Sequence, residues 1–300
     1  MSIIVLGTVA LDSLKTPNGI KKDLLGGSAA HFSMSARHFT LVNLSAVVGS
    51  DFPKKQITMF KNKGINIDSL LVKKGKTFRW TGEYKAEDLN TAVTLDTTLG
   101  VLLDIAPTVN EKQKNVNNVF LANYDPDIQL DFLNTLNKPN FVGMDTMNLW
   151  IYTKKKSIAK LMKKVNLLLL NDAEARDFTG QKNMLKAAKL LISLGPQIVI
   201  IKKGEHGGLL YSKNHLFALP AYPLEEVIDP TGAGDTFAGG VMGYLVKSKK
   251  INAKTLIKAV LYGTIFSSFN VQGFGMEKTK NLSLSKVHER MTIFKQFFKF

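Results

Sequence analysis

The sequence predicts an α/β fold, an open, doubly wound, mostly parallel sheet with helices on both faces. Three observations lead there. Short runs of apolar residues recur along the chain without the alternation of a half-exposed strand, as strands buried on both faces of a parallel sheet do. Stretches with helical spacing fill the gaps between those runs. The resulting strand-helix-strand rhythm continues from end to end, without internal repeats or a low-complexity linker. A chain of 300 residues with 45% hydrophobic residues can bury a full core, and residues 1–300 are expected to form a single domain.

Taken in order, the expected strands are Ile3–Leu6, Leu44–Val48, Asn118–Ala122, Phe141–Met144, Leu167–Leu170 and Gln197–Ile201. The expected helices are Ala29–Thr40, Phe52–Lys63, Pro126–Leu136, Thr153–Lys163, Met184–Leu194, Gly234–Val246 and Ala253–Phe269. One segment breaks the rhythm. From Gly75 to Val101 the chain is polar and rich in Thr and aromatic residues, with period-2 stretches such as TFRWTGEY, and it reads as exposed strands. A small β insertion is expected over residues 75–101, joined by part of 13–25. Such an insertion commonly covers a site and excludes water, although an ordinary edge hairpin fits the residues equally. The GKT at Gly75–Thr77 is not a phosphate loop, because Leu70 stands where that motif needs Gly. At the C-terminus, TIFKQFFKF (Thr292–Phe300) has apolar residues at helical spacing, expected to dock on the core rather than on a membrane.

Charge invites another class of function. The formal net charge is +16, and clustered cations bind nucleic-acid backbones. Here the cations are mostly Lys and are scattered, with Arg only at Arg37, Arg79, Arg176 and Arg290. No nucleic-acid partner is expected of such a surface, which instead draws anionic substrates inward. The chain has no Cys, so it has neither a disulfide framework nor a thiolate zinc site. Its longest apolar runs fall far short of the roughly 18 residues of a membrane span, and the first residues lack a basic leader. A cytoplasmic protein without membrane contact is expected.

Ligands of open α/β sheets sit beyond the carboxyl ends of the strands. Asp12, Asn123, Asp125, Asp145, Asn171 and Glu174 fall there, as do Gly204, Gly207 and Gly208. The most informative stretch is DPTGAGDTFAGG, Asp229 to Gly240. Pro230 restrains the entry, while Gly232 and Gly234 let the backbone turn and present successive N–H groups at a helix start. That is a seat for an anion. Asp235, directly after it, is either a capping carboxylate, the commoner role of an isolated acid at this place, or an acid beside a bound phosphate. The second arrangement suits phosphoryl transfer to a hydroxyl, the acid receiving the proton while the N–H groups stabilise the equatorial oxygens. Transfer from ATP also needs a divalent cation with oxygen ligands. Asn171 and Glu174, three residues apart at a strand end, offer such ligands, and the same spacing makes a capping box.

DPTGAGDTFAGG resembles the C-terminal signature of the ribokinase-like, PfkB-type carbohydrate and nucleoside kinases. NDAE (Asn171–Glu174) matches that family's N-x-x-E motif, and LLGGSAAHFSMSARHF (Leu24–Phe39) resembles its N-terminal Gly-Gly segment. The resemblance covers nearly the whole chain in the right order, and it implies a ribokinase-like fold with a small β lid at the insertion. It implies Asp235 as general base, with Gly232, Ala233 and Gly234 as the anion hole. Asn171 and Glu174 would organise Mg2+ and the phosphates of ATP. Lys203, Gly204 and Gly207, from VIIKKGEHGG, would lie beside the nucleotide, and Tyr262 near its adenine; unaided, the glycine stretch reads equally as a plain hairpin turn. Asp12, Gly26 and Gly27 match positions that hold the acceptor's hydroxyls. His31 stands where many relatives place Asn, although a lone histidine on a helix is more often a packing residue. Some members bind a monovalent cation such as K+ near the Asp229 position.

One departure bears on substrate. DTMNLW keeps Asp145 but has Met147 and Leu149 where the family's D-x-N-x-R stretch has Asn and Arg, which disfavours an acidic or phosphorylated sugar. The implied activity is ATP-dependent phosphorylation of a primary hydroxyl on a small sugar, with a nucleoside as the alternative acceptor. Readings from other classes are a non-catalytic binding protein or a basic nucleic-acid binder on this fold. Exposed lid strands offer a surface for a homodimer.

Overall fold

Strand β1 (Ser2–Leu6) shows why the apolar runs assemble into a central sheet. Alternate residues of a strand leave on opposite faces, and here Ile3 and Val5 enter one buried cluster while Ile4 and Leu6 enter the other. Neither face meets water. The computed structural model describes residues 1–248 and 250–297. After β1 follow β2 (Ala10–Thr16), β3 (Gly19–Gly26), α1 (Ser28–Ala36), β4 (Leu41–Gly49), α2 (Lys54–Asn62), β5 (Asn66–Lys73), β6 (Arg79–Lys85), β7 (Asp88–Thr98) and β8 (Asn118–Leu121). Next come α3 (Pro126–Asn134), β9 (Phe141–Met144), α4 (Asn148–Thr153), α5 (Lys155–Met162), β10 (Leu167–Asn171), α6 (Asp172–Thr179), α7 (Met184–Ser193) and β11 (Ile198–Lys202). The chain ends with β12 (Gly208–Ser212), β13 (His215–Leu219), α8 (Ala233–Lys247), α9 (Ala253–Asn270) and α10 (Leu284–Gln296).

The main sheet has nine strands in the order β13-β12-β11-β10-β9-β8-β1-β4-β5. Strands from β5 across to β11 run parallel, and β12 and β13 add an antiparallel edge. Residues of α1, α2, α8, α9 and α10 share one core with one face, and those of α3 to α7 share the other core. This is the doubly wound architecture expected from the sequence. Strand order reverses beside β1, between β4 and β8, which leaves a crevice at the carboxyl ends of the strands there. Each expected strand and helix has its counterpart. The first helix stops at Ala36 rather than Thr40, where the chain turns before β4.

A second sheet of four strands, ordered β3-β2-β6-β7, stands apart from the first. It joins two stretches distant in sequence through the parallel pairing of β2 with β6. Asp51 anchors its base, accepting from the hydroxyl of Thr77 at 2.6 Å and from Arg79 at 3.2 Å. Elsewhere it touches the body through Asn18, whose amide donates to the carbonyl of Val227 at 2.8 Å, and through Asn90, whose amide donates to Glu205 Oε2 at 2.5 Å. At the other end of the chain, α10 buries Val287, Met291 and Phe294. Residues 298–300 of the apolar C-terminal stretch lie outside the described residues. No helix among the described residues is long and apolar enough to cross a membrane.

Candidate active site

The amino end of α8 forms a backbone cradle. Gly232, its N-cap, has φ +71°, a left-handed conformation that side chains resist, and a Cβ there would strike the ring of His31. His31 comes from α1 and is buried. Its Nδ1 lies 3.1 Å from Asn270 Oδ1, which also accepts from the hydroxyl of Thr236 at 3.1 Å. Asn270 Nδ2 donates to the carbonyl of Thr231 at 2.8 Å, so its oxygen faces His31 and the proton sits on His31 Nδ1. Burial pushes the imidazole down to about 4. The ring is therefore a neutral wedge behind the cradle. Ser267 secures the first helical residue by donating to the carbonyl of Ala233 at 3.1 Å.

Polar and charged side chains from three neighbouring strand ends gather below this cradle. β9 ends before Asp145, β10 ends at Asn171, and β11 ends at Lys202, with Asn171 directly paired to Lys202 in register. Lys202 Nζ donates to Asp145 Oδ2 at 2.8 Å, and the two side chains are only 18% and 5% exposed. Asn171 and Glu174 do form a capping box at the start of α6, the two backbone N–H bonds measuring 2.8 and 2.7 Å. The cap and a ligand role are compatible, because the box leaves Glu174 Oε1 out of it. Burial and the charge of Asp145 raise the Glu174 carboxyl above its ordinary value. Asp235, half-buried in the first turn of α8, is pushed up to about 7 by burial and then by Asp145, against the pull of Lys202. Burial opposes the charge on Lys202, but Asp145, Glu174 and Asp235 outweigh it and hold the amine above its usual value. Like-charged carboxyls held this close suit a site that receives a cation or a proton.

The second sheet forms the opposite wall. In its parallel pairing Asp12 sits beside Trp80 and Leu14 beside Gly82, so these residues and Tyr84 share one face. A Cβ on Gly26 would land on the Asp12 carboxylate, and Gly27 has φ +95°. Burial and then the charge of Asp229 push Asp12 up to about 7, against a hydrogen bond from the Gly27 backbone. The hydroxyl of Tyr84 meets that of Thr231 at 3.3 Å, and burial keeps it protonated. The indole of Trp80 lies across Gly82, where a Cβ would collide with it, and its Nε1 donates to Thr94 at 3.1 Å. Asp229 is fully buried, its oxygens accepting from the N–H groups of Thr231 at 2.9 Å and Gly275 at 2.8 Å.

The structure thus brings Asp235, Gly232, Ala233, Gly234, Asn171, Glu174, Asp12, Gly26, Gly27, His31 and Asp229 around one crevice. Lys203, Gly204 and Gly207 form the turn after β11, where Lys203 and Gly207 are half-buried and Gly204 is exposed against Asn90. Tyr262 is not brought to this crevice. It packs between Phe39 and Tyr244, each at 4.8 Å, with its hydroxyl 3.2 Å from His288. Tyr244 lies nine residues beyond Asp235 on α8, roughly 13 Å along the axis. Sequence reasoning did not single out Lys202, Trp80, Tyr84 or Asn270. The alternation in TFRWTGEY carried a signal for Trp80 and Tyr84, because it puts them on one strand face; nothing local marked Asn270.

Among the described residues no cluster of three or more His, Asp, Glu or Cys side chains is arranged to hold a metal by itself. One or two carboxylates with phosphate and water oxygens do fit Mg2+, which keeps several such ligands.

Residues 4–281 match the family model described as pfkB family carbohydrate kinase. The chain is similar to a cytidine kinase of Thermococcus kodakarensis, 30% identical over 251 residues that make up 81% of this chain and 88% of that protein. Its fold is similar to the crystal structure of Methanocaldococcus jannaschii nucleoside kinase, with TM-score 0.78, 23% identity and coverage of 98% of this chain and 99% of that one. It is similar also to Burkholderia thailandensis nucleoside kinase in complex with inosine, with TM-score 0.79, 16% identity and coverage of 98% of each chain. With the cradle, the acid beside it and the strand-end cluster in one crevice, the chain belongs to the pfkB family of carbohydrate kinases.

Proposed function

We propose that this kinase transfers the γ-phosphoryl group of ATP to the primary hydroxyl of a nucleoside. Phosphotransfer is supported by one juxtaposition, the half-buried Asp235 at the mouth of a backbone N–H cradle that faces Glu174 and Asn171. The acceptor hydroxyl would lie between Asp235 and the phosphate, held on its sugar side by Asp12 and the Gly26-Gly27 backbone. Asp235 takes the hydroxyl proton while the N–H groups of Gly232 and Gly234 receive the charge on the moving phosphoryl oxygens, that of Ala233 already being given to the carbonyl of Pro230 at 3.1 Å. Mg2+ bound by Glu174 and Asn171, through water, would neutralise the ATP phosphates. The carboxylate of Asp229 accepts the N–H groups of Thr231 and Gly275 and the hydroxyl of Thr231, and a monovalent cation such as K+ would bind near it through neighbouring backbone carbonyls. The second sheet acts as the lid, excluding water when it rests on Thr231 through Tyr84 and on Val227 through Asn18.

A nucleoside is preferred to the free sugar for a structural reason. Trp80 spreads its indole over Gly82 on the wall beside Asp12, a flat apolar platform that a free pentose has no planar group to use and a base does. The name of the Thermococcus relative and the inosine complex of the Burkholderia one support the same acceptor class. The exposed lid strand β7, with Val93 and Leu95 open to solvent, is the surface on which a second copy of the chain would pair.

ATP consumption with Mg2+ over a panel of nucleosides, pentoses and hexoses tests the reading. A higher kcat/KM for free ribose than for every nucleoside would defeat it. Trp80→Ala is expected to raise the nucleoside KM by about tenfold or more, since base-aromatic stacking contributes roughly 1–3 kcal/mol, and to leave ribose turnover nearly unchanged. Asp235 must be ionised to accept a proton and its carboxyl stands near 7 in the free protein. The logarithm of kcat/KM should therefore climb with pH and level off above about 7, with an apparent pKa belonging to the coupled set of acids. A flat profile across the acid limb contradicts this assignment.

A further inference from the structure

We propose that Lys202 is a further catalytic residue, whose ammonium leaves part of its hold on Asp145 to hydrogen-bond the γ-phosphoryl group at the Gly234 end of the cradle. The assignment rests on the kinase reading above. Two features of the geometry carry it. A Cβ on Gly234 would lie 2.9 Å from Lys202 Nζ but 3.8 Å from Cε, so the amine itself is the part of the side chain that touches the amino end of α8. There the helix's first N–H groups lack intrahelical partners and face any bound anion. Of the three hydrogen-bond donors on the ammonium, one goes to Asp145 Oδ2 and no other takes a partner among the described residues.

A lysine serving only to neutralise Asp145 had no need to reach Gly234. The N–H groups of the cradle offer partial charges, whereas the phosphoryl group in flight carries negative charge on its equatorial oxygens. A half-buried ammonium beside Gly234 supplies the full charge, and in a crevice of low dielectric it acts more strongly than in water. Asp145 holds the amine in place until the phosphate arrives. In the step itself the γ-phosphorus bonds to the acceptor oxygen, its bond to the β–γ bridging oxygen breaks with the electron pair going to ADP, and the hydroxyl proton passes to Asp235. Lys202 stays protonated and only exchanges hydrogen-bond acceptors.

The test compares wild type with Lys202→Gln and with the double variant Lys202→Gln/Asp145→Asn, which avoids leaving a buried acid unpaired if the single variant fails to fold. Melting temperature identifies the folded variants. In those, kcat with the best nucleoside should fall by about 10²–10³-fold, the usual worth of one donor to a transition-state oxyanion. ADP lacks the γ-phosphate, so its affinity by calorimetry should stay within about threefold. A folded variant whose kcat lies within about fivefold of wild type, or one that loses ADP affinity as much as kcat, overturns the assignment while leaving the kinase reading intact. A wild-type protein that consumes no ATP with any nucleoside, pentose or hexose overturns both.

Discussion

Asp235→Asn is expected to lower kcat by about 10²–10⁴-fold, the range a positioned general base contributes, with ATP affinity almost unchanged. Asparagine keeps the volume and the place at the first turn of α8, so the fold and the cradle should survive. What it cannot do is receive a proton as the acceptor oxygen bonds to phosphorus. That loss falls in the transition state and not in ground-state binding, which is why kcat and kcat/KM should fall together. Single-turnover kinetics and nucleotide calorimetry on the same variant measure the two quantities separately. Retention of more than about a tenth of wild-type kcat would exclude Asp235 as the base.

The second large effect is expected at Gly232. Gly232→Ala puts a methyl group into the ring of His31 and forces a non-glycine residue to hold φ +71°. Steric overpacking and left-handed strain each cost on the order of 1–3 kcal/mol, so the melting temperature should drop clearly. Activity should suffer more than stability, because a cradle shifted by about 1 Å can cost roughly 10²-fold. Adding His31→Ala removes the clash but not the strain, so the double variant should recover part of the stability. Recovery of none would mean that the ring does not back the cradle.

Much of the fold was legible because burial on both faces leaves a plain mark. LLLL at 167–170 and QIVII at 197–201 cannot be amphipathic, and β10 and β11 appear within a residue of those runs. β5 left no such mark. It pairs only with β4, is mostly half-exposed, carries Asp68 and runs out into Lys73 and Lys74. The hairpin β12–β13 was equally hidden, since its residues read as a glycine turn followed by mixed polarity. At the crevice, the glycines and acids of one short stretch could be read locally because the backbone itself makes the cradle. Lys202 could not. Its meaning depends on Asp145, which is 57 residues away in sequence and meets it only because β9, β10 and β11 lie side by side. The alternation around Trp80 marks its strand face, but its place beside Asp12 depends on the pairing of two strands that a sequence shows far apart. Tyr262 was placed by its distance from the motif alone, and helix α9 turns that side chain toward Phe39 and Tyr244 instead.

Asp12 lies on β2, a strand of the second sheet rather than of the main one. Under the proposed function, the wall that shuts the crevice would carry with it the carboxylate that holds the acceptor. Were that wall to swing out, the phosphorylated acceptor would be drawn away from the main sheet while ADP kept the contacts it makes there. The two products would then leave in order, acceptor first.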